Sequence, residues 1–241
     1  TVGITPNGGQ ILNNFDVGNV LNYDPAGDFP SGSTIYVKII PYNSNGDAAG
    51  CNEESFMTET STSCGAGQTI TLSTQTQVND FISNYCNSFL GNLIIQDDNN
   101  GVDNITSLIQ LSSLTSIGGY LQISFNNALS NLDSFSYLSS IGGNLSIFNN
   151  DVLSNINGLS SLTSIGGNLS IYNSAVLSNV DGFISLDSIN GDFYFDGNST
   201  LINVDGLTSL IYVGGNFNLI NNSMLSQCCG LNAIMNAEVN G

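Results

Sequence analysis

Ile141-Gly142-Gly143-Asn144-Leu145-Ser146-Ile147-Phe148-Asn149-Asn150, continued by Asp151-Val152-Leu153-Ser154-Asn155-Ile156-Asn157-Gly158-Leu159-Ser160-Ser161-Leu162-Thr163-Ser164, is one unit of a repeat. Its opening tripeptide stands 24 residues earlier as Ile117-Gly118-Gly119 and 24 residues later as Ile165-Gly166-Gly167. It returns at the same spacing as Ile189-Asn190-Gly191 and Val213-Gly214-Gly215. A register this strict means that each unit stacks directly on the one before it.

The apolar residues keep the same register. Leu121, Leu145, Leu169, Phe193 and Phe217 form one column, and Ile123, Ile147, Ile171, Phe195 and Leu219 form another two places on. That spacing of two predicts a strand with both side chains pointing inward. Leu153, Ile156, Leu159, Leu162 and Ile165 then recur at every third residue, which suits short turns around a core better than an α-helix. A lone coil cannot bury its apolar side, so stacking is obligatory. Asn126, Asn150, Asn198 and Asn222 fill one column, broken by Ser174, and are expected to form an internal ladder. The glycines at 119, 143, 167, 191 and 215 mark a backbone position that needs positive φ or close approach. The fold class expected is all-β: a right-handed β-solenoid of 24-residue leucine-rich coils, preceded by a partial β-sandwich.

Less regular coils precede these. Ile70-x-Leu72 and Leu93-x-Ile95 read as the same strand column, and Gly91 to Gly119 spans 28 residues, a four-residue insertion. Thr74-x-x-Gln77 reads as a capping box, with Val78, Phe81, Ile82 and Tyr85 on one helical face. A helix near 75–85 is therefore expected to close the end of the stack. Leu231 and Ile234 continue two columns at the other end.

The pattern Ile-Gly-Gly-Asn-Leu-x-Ile-x-x-Asn, followed by Leu-x-x-Leu-x-x-Leu-x-x-Leu, resembles receptor L-domain-like repeats. These are relatives of leucine-rich repeats found in receptor ectodomains and bacterial surface proteins. One extra residue between the Asn and the next Leu separates it from the usual leucine-rich signature. The likeness extends over residues 61–241, read as one domain. Residues 1–60 differ. Ser33-Thr34-Ile35-Tyr36-Val37-Lys38-Ile39, then Ser55-Phe56-Met57-Thr58, resemble the C-terminal part of a fibronectin type III domain. With its first strands missing, the sequence reads as an excerpt of a larger protein. This pairing of modules resembles cargo of the type IX secretion pathway, which implies an extracellular or cell-surface location and contact with secretion machinery.

Composition narrows the function. The chain has one basic residue, Lys38, against 19 acidic ones and no His. Nucleic-acid binding lacks the Lys and Arg it needs to displace counterions, and insertion into a membrane lacks a long apolar run. Without His, the Ser-His-Asp and Cys-His systems are impossible, so the expectation is a protein that is not an enzyme. Five cysteines, none in a C-x-x-C pattern, suit an oxidising compartment. Cys64 and Cys86 are the expected pair, stapling the segment that leads into the stack.

Three candidate sites follow. Residues alternating with the buried ones point to solvent. Tyr120, Phe148, Tyr172 and Tyr194, beside Asn168 and Asp192, make a candidate platform for a glycan or a surface protein. Asp97-x-Asn99-x-Gly101-x-Asp103 spaces oxygen ligands as calcium loops do, without the bidentate Glu of an EF-hand. Calcium is thus the one possible cofactor. Asp192 and Asp196, on one strand, are the carboxylates a polysaccharide-active enzyme would use. The reading that gathers most of this is a surface segment for adhesion or recognition. The alternatives are a structural spacer or fibre-forming segment and, last, that enzyme.

Overall fold

A computed structural model of the chain describes residues 2–3, 34–37, 42–43, 46–47, 54–57, 62–81 and 86–237. Two compact units result, Thr1–Ser61 and Thr62–Gly241. In the first, Thr34–Val37 pairs antiparallel with Glu54–Met57 on one side and Val2–Gly3 on the other. Tyr42–Asn43 and Gly46–Asp47 form a short antiparallel pair. Tyr36 and Phe56 thus lie on paired strands, while Ile39 falls outside the described residues. Antiparallel pairing is common to many β folds and does not itself assign this unit to the fibronectin type III family.

The second unit is the expected stack. One wall is a seven-stranded parallel sheet of long strands, running through Thr69–Leu72, Asn92–Gln96, Leu121–Ser124, Leu145–Phe148, Leu169–Tyr172, Phe193–Asp196 and Phe217–Ile220. A second parallel sheet, of short strands such as Ser140–Ile141 and Ser164–Ile165, runs beside it in the same order. The third wall consists of one 3₁₀ turn per coil, including Asp133–Phe135, Asn157–Leu159, Asp181–Phe183 and Asp205–Leu207. The turn Asn157–Leu159, with three residues per turn, lies at the centre of the apolar period read in 153–165 and suits the spacing of Ile156, Leu159 and Leu162.

Register is fixed by the repeat. Leu145 pairs with Leu169 and Ile147 with Ile171, each 24 residues on, whereas Leu93 pairs with Leu121 across the insertion. From Leu93 to Leu210 the column residues form one continuous core, none more than 2% exposed.

The Gly-Gly column has its reason in contact, since none of those glycines has positive φ. A Cβ on Gly167 would strike the Asn144 side chain, and one on Gly166 would strike the Gly142 carbonyl of the preceding coil. Left-handed backbone occurs instead just after the last five long strands, at Phe125, Asn149, Asn173, Gly197 and Asn221.

The two ends of the stack differ. Helix Gln75–Asp80 closes the first, burying Val78 completely, and Phe81 sets its ring edge-on to Phe89 with centroids 5.6 Å apart. Thr74 Oγ1 accepts the Gln77 N–H, and Gln77 Oε1 accepts the Ser73 N–H. The capping box is therefore present, reaching back one residue further than the motif predicts. Ile82 and Tyr85 lie outside the described residues. At the other end, helix Asn232–Ala237 follows the last 3₁₀ turn, yet Phe217 and Tyr212 remain 38% and 54% exposed. Cys228 and Cys229 are exposed and free. Cys64 and Cys86 lie on neighbouring parallel strands, Thr62–Cys64 and Cys86–Phe89, but the Cys86 side chain is outside the description.

Candidate functional site on the outer face of the long-strand sheet

The strands Leu145–Phe148, Leu169–Tyr172 and Phe193–Asp196 bury their first and third residues and turn their second and fourth outward. Because successive strands are in exact register, outward side chains of one column meet their copies. Phe148 and Tyr172 are register partners and stack with centroids 4.6 Å apart and planes 6° from parallel. Tyr194 continues the row at 6.4 Å from Tyr172 and 71°, and Phe125 begins it at 5.6 Å from Phe148 and 84°. The result is one uninterrupted row of four rings across four coils.

The row ends at opposite poles in different chemistry. Beside Phe125, Gln122 donates to Ser124 Oγ at 3.0 Å, and Ser124 donates to Gln96 at 3.2 Å. At the other end the Tyr194 hydroxyl donates to Asp196 Oδ2 at 2.7 Å, and Asn221 donates to Asp196 Oδ1 at 2.8 Å. These two bonds hold the Asp196 carboxyl below its ordinary range, and the bond to Asp196 holds the Tyr194 phenol above its own. Burial raises Tyr172 as well.

Of the residues expected on this platform, Phe148, Tyr172 and Tyr194 are brought together; the other three are not in the row. Tyr120, Asn144, Asn168 and Asp192 share a column at the bend before each long strand. There the three polar side chains bond to backbone of the following coil: Asn144 Oδ1 accepts the Asn168 N–H, Asn168 Oδ1 the Asp192 N–H, and Asp192 Oδ1 the Asn216 N–H, at 2.8, 2.8 and 2.7 Å. Asn168 and Asp192 thus have a task in coil stacking. Phe125 was missed, though its signal was in the sequence: it is an aromatic in a column otherwise filled by Asn149, Asn173, Gly197 and Asn221. Its φ of 58° is a conformation that bulky side chains rarely adopt.

The internal ladder runs beneath. Asn126 Oδ1 accepts the Asp97 N–H and Asn150 Oδ1 the Asn126 N–H, each at 3.0 Å. Asn198 Oδ1 accepts the Ser174 N–H at 3.1 Å, and Asn222 Oδ1 the Asn198 N–H at 3.0 Å. The amide nitrogens reach carbonyls of the preceding coil, as Asn150 does to Ile123 at 2.9 Å. Ser174 is the exception: its hydroxyl is buried without a hydrogen-bond partner.

The candidate calcium residues have other partners. Asp97 is 2% exposed and occupies the ladder column of its coil, its carboxylate accepting the N–H groups of Asn99 and Ile105 at 2.7 and 2.8 Å. Asn99 Oδ1 accepts from Asn127. Asp103 Oδ2 accepts the Thr76 N–H at 3.0 Å and its carbonyl accepts the Gln75 N–H. The Thr76 side chain, and then its N–H, hold the Asp103 carboxyl below the ordinary range, and the bonds to Thr76 and Gln75 tie the inserted loop to the first turn of the closing helix. A calcium ion here must compete with them.

Asp192 and Asp196 are engaged separately: Asp196 accepts from the Tyr194 hydroxyl and from Asn221, while Asp192 Oδ1 accepts from the Asn216 N–H and side-chain amide.

No helix among the described residues is long and apolar enough to cross a membrane. Neither a curated protein nor a solved structure matches the chain. Residues 85–154 match the family model described as Receptor L domain, so the chain is receptor L-domain-like there, over the insertion coil, the first regular coil and the first part of the second.

Proposed function

We propose that the chain is a non-catalytic, extracellular surface segment that recognises a glycan or a protein through the outer face of its long-strand sheet. The observation that carries this is the row Phe125–Phe148–Tyr172–Tyr194, a continuous aromatic surface on a rigid wall. The likeness to a receptor domain over 85–154 supports a binding role. Fibronectin type III-like character of the first unit and export as type IX cargo belong to the same proposal, on the sequence resemblance alone.

A second reading, a structural spacer, is favoured by a specific observation. Phe148 and Tyr172 turn their faces to each other, so stacking between coils already uses part of the surface a ligand would need.

The test is a glycan array and a surface-protein array, probed with the whole chain and with a Phe148→Ala/Tyr172→Ala variant, in calcium and in chelator. Binding lost in the variant is the expected result. Binding retained by it removes the aromatic row from the reading, and blank arrays leave the spacer. Dependence on calcium, with Asp97→Asn losing it, would assign the metal to the inserted loop.

A further inference from the structure

The polar end of the aromatic row has a different character from its middle. Tyr172 and Tyr194 meet at 71°, making a corner rather than a stack. Asp196 is the register partner of Tyr172 on the next strand and lies two residues beyond Tyr194 on the same outward face. All three side chains are partly accessible. Two ring systems and one carboxylate therefore converge on one spot.

Three physical effects favour a cation there. The ring faces carry negative quadrupole potential. Donation of the Tyr194 hydroxyl proton to Asp196 pushes electron density into that ring. The carboxylate is held ionised by Tyr194 and Asn221, and its two oxygens have lone pairs beyond those two bonds. Thr62–Gly241 contains no Lys, Arg or His, because the only basic residue of the chain is Lys38. No cationic side chain of this unit can neutralise Asp196.

We propose that Tyr172, Tyr194 and Asp196 form a receptor corner for an arginine side chain of a basic protein partner. The proposal rests on reading this face as a recognition surface and names the chemistry of its ligand. Arginine fits better than an extended amino-sugar polymer for a geometric reason. The Phe148–Tyr172 stack offers edges along the row, so it gives a polysaccharide no succession of open faces. One corner suits one planar guanidinium, which can lie on a ring and fork its donors toward a carboxylate. The net charge of −18 draws a basic partner toward the chain before contact.

The experiment is an NMR titration of the whole chain with a Gly-Arg-Gly peptide, its uncharged citrulline counterpart, a Gly-Lys-Gly peptide and a chitosan oligomer. The readouts are the Tyr172 and Tyr194 ring signals and the side-chain CH₂ protons of the peptide. Arginine peptide is expected to saturate both ring signals, with its CH₂ protons shifted upfield, and citrulline is expected to leave them unmoved. Asp196→Asn should weaken binding about threefold to tenfold. Asp133→Asn, which removes an equal charge from an exposed site in another coil, should change it less than twofold, on the order expected of a screened distant charge. Equal response to citrulline, equal weakening by both substitutions, or tighter binding of lysine or chitosan would each overturn the proposal. Failure here together with array binding lost in Phe148→Ala/Tyr172→Ala would leave the recognition surface standing with a ligand that is not arginine.

Discussion

Phe125 holds a left-handed backbone, φ 58°, in a column where the other occupants are Asn and Gly. Such a conformation costs a bulky residue on the order of 1–3 kcal/mol, and strain of this kind persists where surrounding structure or function maintains it. Here the ring is 38% exposed and packs edge-on against Phe148, so little burial repays the strain. A residue that costs stability and adds to an exposed aromatic row fits a role in binding. Phe125→Asn is therefore expected to raise stability by about 1 kcal/mol, seen as a higher urea midpoint with an unchanged slope. A fall in stability would show that the Phe125–Phe148 contact is worth more than the strain, favouring the structural reading of the row.

At the scale of the element, the Asn column works like one extended hydrogen-bonded strand of side chains, and Ser174 is its missing rung. Elsewhere the amide serves two coils, its oxygen accepting an N–H and its nitrogen reaching a carbonyl, as Asn198 does toward Ser174 and Ile171. A serine is too short to repeat this. The backbone link from Ser154 N–H to Ser130 O returns between Ile202 and Ser178 at 2.9 Å, but no described bond joins Ser178 N–H to Ser154 O. Ser174→Asn should complete the ladder and raise stability by about 1–2 kcal/mol, since each regained bond is worth about 1 kcal/mol. Asn198→Ser should cost about 2–4 kcal/mol by leaving a buried N–H and carbonyl without the amide. Chemical denaturation of the two variants decides it: no gain in the first with a large loss in the second would mean that the wall at Ser174 cannot admit an amide.

For the molecule as a whole, the repeat made the core legible because every column obeys one spacing, and strand pairing merely realises it. The period of three made short turns legible on the third wall, and the structure gives them as 3₁₀ turns. The site was read less well. Alternation correctly sent Phe148, Tyr172 and Tyr194 outward, but it cannot tell a strand position from the bend before it. Asn168 and Asp192 consequently join a coil-to-coil ladder, a role that depends on backbone N–H groups 24 residues away, and Tyr120 meets that ladder only through its own N–H, which Asn92 Oδ1 accepts. The pairing of Tyr194 with Asp196 is a matter of side-chain rotamers, which no spacing encodes.

A stack of this kind gains stability from neighbours, so a coil with one neighbour is held less firmly than a coil with two. The first end has its helix, with Val78 fully buried. The other ends in Phe217–Ile220, last in its sheet, where Phe217 is 38% exposed although Phe193 in the same column is fully buried. Exposed sheet edges open locally at low free energy. Amide hydrogen exchange should accordingly be slowest in Leu145–Phe148 and Leu169–Tyr172, and faster by about two orders of magnitude or more in Phe217–Ile220, an opening difference of about 3 kcal/mol. The closed end should show no such fall at Leu93 and Ile95. Protection of Phe217–Ile220 equal to the central strands would refute the neighbour argument for an isolated chain. If that protection vanished on dilution, a second molecule would be covering the edge, and the exposed end would be an assembly surface rather than a frayed one.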